Sequence, residues 1–149
     1  MSHVRQQIRE EIAAILGGLV SVPAANVFVS RAYPVNDESL PCVLIYSARD
    51  ELMSEASAMS GKRGYLLQTN VEVRVRPVAA ADALTDTICA EIQAALAADD
   101  TLGGLVKDLD LYSTDIGFDG EAENPTGYAR LAYGALYRIA KGDPETALS

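Results

Sequence analysis

Carboxylates are the side chains in this sequence whose type and spacing come nearest to a chemical site. Carboxylate oxygens bind calcium and can transfer protons as general acids and bases. Read as a calcium loop that begins at Asp115, the sequence places Gly117 at a ligand position and Thr126 where a bidentate glutamate belongs, which disfavours a metal. A solvated acidic rim is favoured, and a proton-transferring carboxylate pair is left open. The acidic residues of this stretch are Asp99, Asp100, Asp108, Asp110, Asp115, Asp119, Glu121 and Glu123.

Histidine, cysteine and glycine-rich patterns predict no catalytic, metal or cofactor site. His3 is the only histidine, and it lies in a terminus that we expect to fray, which disfavours a Ser-His-Asp or Cys-His arrangement. The two cysteines lie in different predicted elements and lack zinc-ligand spacing. Gly61-Lys62 resembles the end of a phosphate loop, but Ala56 stands where that motif requires glycine. We therefore predict a protein that is not an enzyme and that has no cofactor and no metal.

The composition favours one soluble domain over residues 1–149. A chain of 149 residues can bury about two thirds of the surface that it exposes when unfolded. A net charge of −9 and a pI near 4.5 disfavour a surface that grips nucleic acid, although DNA could pass beside it. No apolar run approaches the roughly 18 residues of a membrane span. We expect an intracellular protein with Cys42 and Cys89 as buried free thiols.

The element best placed to position polar side chains is the alternating segment 63–75. Its pattern predicts a long strand with one core face and one solvated face. Arg74 and Arg76 lie on the solvated face, where either a cross-strand ion pair or a subunit contact would explain them. The core face carries Tyr65, Leu67, Val71, Val73 and Val75, and the solvated face carries Gln68, Asn70, Glu72, Arg74 and Arg76.

The remaining patterns divide the chain into helices, strands and loops. Apolar residues at helical spacing predict amphipathic helices over 4–16 and 82–98. Strand patterns cover 26–30, 41–47, 106–118 and 126–139, and the last of these predicts a second long strand. Loops are predicted over 31–40 and 48–62, and a flexible tail over 141–149.

This order predicts an α+β fold, a mostly antiparallel twisted sheet with two helices packed on one face and long projecting strands. Strands longer than the usual length of about five or six residues must bend or extend past the core. A projecting hairpin would expose edges with which a second copy could pair. We therefore expect self-assembly, and strong bending with bulges is the alternative.

Short phrases along the chain resemble one known family, the tail terminator proteins of long-tailed bacteriophages, of the minor tail protein U type. The resemblance runs from about Arg5 to Arg138. It depends on the order of elements and on phrases such as LPCVLIY, TLGG and DGEAENP. The longer matching stretches are VRQQIREEIAAIL, VFVSRAYPV, YLLQTNVEVRV, ADALTDTICAEIQAAL and FDGEAENPTGYARLAYGALYRI.

The resemblance implies a non-enzymatic tail assembly protein of a phage or prophage. Copies would form a ring, a hexamer in this family, on the end of the tail tube. The ring would end polymerisation of the tail tube protein and present its other face to the head–tail connector protein. The protein would assemble in the host cytoplasm and remain in the virion tail. DNA would pass through the lumen without specific binding, and no membrane would take part.

Residue type and position suggest which side chains would serve such a ring. We predict subunit or tube contacts on the strand face and in the loop 48–62, and an acidic rim or lumen further along the chain. The predicted contacts are Arg74, Arg76, Met53 and Met59. The predicted rim or lumen residues are Asp115, Asp119 and Glu121.

Two alternatives stay open at this point. The chain could be another head–tail joining or tail completion protein. It could instead be a small-molecule-binding or enzymatic α+β domain whose pocket lies between sheet and helices, with chemistry from carboxylates and from Tyr65, Tyr128 or Tyr133. Rings in solution would favour assembly, and a stable monomer that takes up a metabolite would favour an enzyme.

Overall fold

The computed structural model describes residues 2–30, 39–53, 61–120 and 126–148. Within those ranges two α-helices and five β-strands alternate in the order that the sequence predicts, which confirms the α+β class. The elements are α1 (Val4–Leu16), β1 (Val27–Phe28), β2 (Cys42–Met53), β3 (Lys62–Val75), α2 (Ala81–Ala97), β4 (Asp108–Asp119) and β5 (Thr126–Ala140).

The strands form one sheet in the order β1-β2-β3-β5-β4. All neighbours are antiparallel except β1 and β2, which are parallel over two residues. The two longest strands, β3 and β5, pair with each other from Lys62–Ala140 to Val75–Gly127 and form the centre of the sheet. Among the described strands, the edges at which another chain could pair therefore lie on β2 and β4, and not on the two longest strands.

Both helices cover the same face of the sheet, which we call the helix face. Their buried residues recur every three or four positions, because that spacing brings one side of a helix onto the sheet. Burial of each such aliphatic side chain stabilises the fold by about 1.5–3 kcal/mol. They are Val4, Ile8, Ile12 and Leu16 in α1, and Thr85, Ile88, Ile92 and Leu96 in α2. Their sheet partners include Val43, Ile45, Leu67, Val71, Val73, Leu131 and Ala135.

Strand β2 corrects part of the predicted loop 48–62. Residues 48–53 continue β2 past an irregularity between Ser47 and Arg49, and they pair with β3 as far as Met53–Gly64. The strand pattern was missed because this segment lies at an edge, where both faces carry exposed side chains and no alternation survives. Residues 54–60, which include Met59, lie outside the described residues.

Both ends of the described chain form hydrogen bonds. His3 was expected to fray, but it is the N-cap of α1, and its Nδ1 accepts a hydrogen bond from the Arg5 amide at 3.0 Å. Residues 141–148 fold back, and the flexibility predicted for this tail stays a prediction. The Val4 amide donates to the carbonyl of Pro144 at 2.8 Å, and the Leu148 amide donates to that of Arg138 at 2.8 Å.

Candidate functional site

The face of the sheet opposite the helices, which we call the open face, carries the densest group of charged side chains in the described residues. Glu72 on β3 stands directly opposite Leu44 on β2 and Arg130 on β5. Arg74 follows two residues later on the same face, because side chains alternate along a strand. A small apolar cluster of Leu40, Cys42, Leu44 and Tyr46 flanks this group.

Glu72 is the centre of the group and is only 3% exposed. Its Oε1 accepts hydrogen bonds from the Tyr46 hydroxyl at 2.8 Å and from Arg130 Nε at 2.9 Å. Its Oε2 accepts from Arg74 Nε at 2.8 Å and lies 2.7 Å from Arg74 Nη2. Both carboxylate oxygens are therefore engaged by charged or hydroxyl donors within the subunit. We call Glu72, Tyr46, Arg74 and Arg130 the Glu72 cluster.

The surroundings of Glu72 keep it ionised. Burial alone would raise its pKa, but hydrogen bonds from Tyr46 and Arg74, with the charge of Arg74, lower that pKa below the ordinary value. The pKa of Tyr46 shifts in the opposite direction, because burial and its hydrogen bond to Glu72 raise the pKa of the hydroxyl. A carboxylate held in this way is a poor proton acceptor, so the cluster favours a structural role over acid–base chemistry.

Arg74 also connects the cluster to β5 and to the edge strand β4. Its Nη1 donates to Thr126 Oγ1 at 2.8 Å and lies 3.4 Å from Asp119 Oδ2. Its guanidinium lies 5.3 Å from the centre of the Tyr128 ring, and that of Arg130 lies 5.5 Å from the same centre. Aromatic faces attract cations at such distances. Arg74 therefore joins β3, β5 and β4 inside one subunit.

The outer edge of β4 has the opposite character. β4 pairs with β5 on one side only, and no strand among the described residues pairs with its other side. Three large apolar side chains on this strand are mostly exposed: Tyr112 at 65%, Ile116 at 65% and Phe118 at 61%. Native proteins usually protect such edges with charge or bulges. An exposed edge with apolar side chains is therefore a candidate for contact with another chain.

The first half of β4 carries both features that protect a strand edge, charged side chains and an irregular register. Its register shifts between Leu111 and Ser113. Asp108 and Asp110 precede the shift, and the hydrogen bond and negative charge of Asp108 raise the pKa of Asp110. The apolar residues Ile116 and Phe118 follow the shift. Segment 113–119 is therefore the part of the edge suited to contact another chain.

The predicted site residues fall into different settings. Arg74 lies within the Glu72 cluster with a side chain that is 18% exposed, and it pairs with Glu72 on its own strand and with Asp119 on β4. Arg76 is exposed just after β3, and Met53 is half-buried as the last residue of β2. Asp115 is exposed opposite Arg130, and Asp119 is paired with Arg74. Met59 and Glu121 lie outside the described residues, and the interface and rim roles stay predictions.

The three tyrosines of the enzymatic alternative are not brought together. Tyr65 stacks on Tyr137 with ring centres 5.6 Å apart, and Tyr133 is buried, both on the helix face. Tyr128 lies on the open face against the two arginines. These positions place a sheet between Tyr128 and the other two, so they do not line one pocket.

Sequence reasoning missed Tyr46, Glu72 and Arg130 as members of a site. The alternation of 63–75 placed Glu72 on a face expected to be solvated, but Asn70 and Glu72 are buried there. The signal that could have flagged the pair is the spacing of Glu72 and Arg74, since residues two apart on a strand share a face. Tyr46 and Arg130 carry no such signal, because only strand order brings them near.

Comparisons with known proteins give one distant likeness. No protein-family model matches the chain, and no curated protein matches it. A chain in a solved structure described as the virion of a native gene transfer agent particle is similar over 90% of each chain, with 14% identity and a TM-score of 0.43. Values this low do not support a conclusion about fold or function.

Within the described ranges, no helix has the length and apolar character that a membrane crossing requires.

Proposed function

We propose that this protein is a tail assembly protein of a phage or a phage-derived particle. Copies of it form a ring on the end of the tail tube, end the polymerisation of the tube protein and provide the surface to which the head connector binds. The sequence resemblance to tail terminator proteins supports this role. Its site is a set of contact surfaces and not a catalytic centre.

The observation that carries the proposal is the outer edge of β4. Segment 113–119 combines an outer backbone edge that no described strand pairs with and the exposed apolar side chains Ile116 and Phe118. A lone subunit gains nothing from leaving these groups in water, because apolar burial and strand pairing both stabilise a complex. Ring closure requires heterologous contacts, in which each subunit presents two different surfaces. The two edges of this sheet supply two different surfaces.

The acidic surface suits a ring through which DNA passes. The chain carries a net charge of −9, and its described acids include exposed Asp108, Asp110 and Asp115. Phosphates are repelled by such a surface, so DNA would move past it without being held. Arg76 and Met53 are the described candidates for contact with the tube protein or a neighbouring subunit.

The proposal is tested by mixing the purified protein with the tail tube protein of the same phage or phage-derived particle. We expect tubes of limited length with a ring at one end by electron microscopy, and a ring-sized mass by native mass spectrometry. Tube protein alone is the control and should form longer tubes. Unchanged tube lengths together with a protein that stays monomeric would contradict the proposal.

A further inference from the structure

Two strand segments at opposite edges of the sheet have matching properties. One is 113–119 of β4, and the other is 49–52 of β2. Each follows a register shift, and each pairs on one side only among the described residues, since β1 covers β2 only at Val43 and Leu44. Each also carries an exposed apolar side chain on the helix face.

The directions of these segments allow them to pair between copies. β2 and β5 run one way, and β3 and β4 run the other, because the three successive pairings are antiparallel. If the sheet continues into a second copy in the same orientation, β4 of one copy lies antiparallel to β2 of the next. The helix faces of the two copies then lie on the same side.

One register brings together one apolar pair and one pair of opposite charges. Leu52, which is 53% exposed, and Ile116 both lie on the helix face. Placing them opposite each other brings Arg49 opposite Asp119, and both of these lie on the open face. The Arg49 side chain is 71% exposed and that of Asp119 is 39% exposed. Opposite charges and apolar pairs that face each other across two strands each stabilise strand pairing.

The geometry points to a continuous sheet between neighbouring copies, in which segment 113–119 of one copy pairs antiparallel with segment 49–52 of the next. Leu52 lies opposite Ile116, and Arg49 lies opposite Asp119. The occupant of the β4 edge is therefore a second copy of this chain. The contact is heterologous, as a closed ring needs, and the inference rests on the proposed ring.

Disulfide cross-linking tests the register directly. In the double variant L52C/I116C the two new cysteines would face each other, and directly opposed residues bring their Cα atoms to about 4.5–5.5 Å, within disulfide range. The matched control is L52C/T114C, because Thr114 lies on the same face but two residues away, at about 7–8 Å. The unmodified chain controls for Cys42 and Cys89, whose thiol pKa values burial raises to about 11.

The variants are assembled with the tube protein, oxidised mildly and separated on a non-reducing gel. We expect L52C/I116C to give a ladder of linked subunits, at least tenfold more than L52C/T114C or the unmodified chain. Assembled rings without cross-links, or equal cross-linking in L52C/T114C, would overturn this contact while leaving the ring intact. If the unmodified chain forms no ring with the tube protein, the proposed function fails, and this contact fails with it.

Discussion

The Glu72 cluster and the outer edge of β4 lie on the same sheet but use charged residues in opposite ways. In the cluster, two arginines and a tyrosine of the same subunit satisfy both oxygens of a buried carboxylate. At the edge, Asp115, Ile116 and Phe118 are turned to solvent. A charged residue on a strand face is therefore not by itself an interface. Its burial within the subunit decides whether it is available to another chain.

Removing the centre of the cluster should have the largest effect on stability. In Glu72→Ala, two arginines whose side chains are 18% and 36% exposed lose a buried partner, and breaking such a pair costs up to about 3–5 kcal/mol, less the part that solvent screens. Urea unfolding should show a lower midpoint with an unchanged slope. Glu51→Ala is the control, because Glu51 pairs with Arg49 at an exposed site and should cost less than about 1 kcal/mol. Equal losses of stability in the two variants would contradict the proposed difference between the buried and the exposed charge pair.

The same cluster predicts a pH dependence. The pKa of Glu72 lies below its ordinary value of 4.5 in the folded protein. Its contribution is therefore present above pH 4.5 and is lost as the pH falls through the lowered folded value. We expect the stability difference between the unmodified chain and Glu72→Gln to be constant near neutral pH and to shrink below pH 4.5. If this stability difference instead grew as the pH falls, Glu72 would not be ionised in the folded protein.

Charge reversal should separate Arg74 from Arg76. Arg74→Glu places a second carboxylate beside Glu72 and should cost at least about 2 kcal/mol, which lowers the thermal midpoint by several degrees. Arg76→Glu lies at an exposed position and should leave the midpoint nearly unchanged. If Arg76 contacts a neighbouring subunit or the tube, its reversal should still abolish ring formation. Rings formed by Arg76→Glu would remove Arg76 from the interface.

Tyr46→Phe should have a smaller effect on the same cluster. It removes the hydroxyl that donates to Glu72 and accepts from Arg130 Nε at 3.0 Å. A loss of about 1–1.5 kcal/mol is expected, because the two arginines still hold the carboxylate. Urea unfolding measures this loss. A loss as large as that of Glu72→Ala would mean that the tyrosine, and not the arginines, holds the carboxylate.

Ile116→Lys should be the mildest change in the monomer. Ile116 is exposed, so its substitution should change the free energy of unfolding by less than about 0.5 kcal/mol. The same substitution should prevent ring formation, because it places a charge where a neighbouring Leu52 would pack. Native mass spectrometry with the tube protein measures this outcome, and Lys107→Ala, outside the segment, is the control. Normal rings from Ile116→Lys would show that this edge does not carry assembly.

Local sequence patterns were sufficient to predict the elements that bury only one of their faces. The apolar spacing of 4–16 predicted α1 with the bounds that the structure has, and the alternation of 63–75 predicted β3 to within one residue. Both succeed because helix and strand periodicities are set by neighbours in the chain. Self-assembly was also predicted, but from the long strands, whereas the open edges of the described part of the sheet lie on β2 and β4.

The candidate sites could not be read from neighbouring residues. Glu72 is buried because Tyr46 and Arg130, which are 26 and 58 positions away in the chain, are brought beside it by the order of the strands. The same order places β4 outermost and so exposes Ile116 and Phe118. The alternation of residues along a strand thus determines on which face of the sheet each side chain lies. Its burial and its partners depend on which strands lie next to it, which is a property of distant pairing.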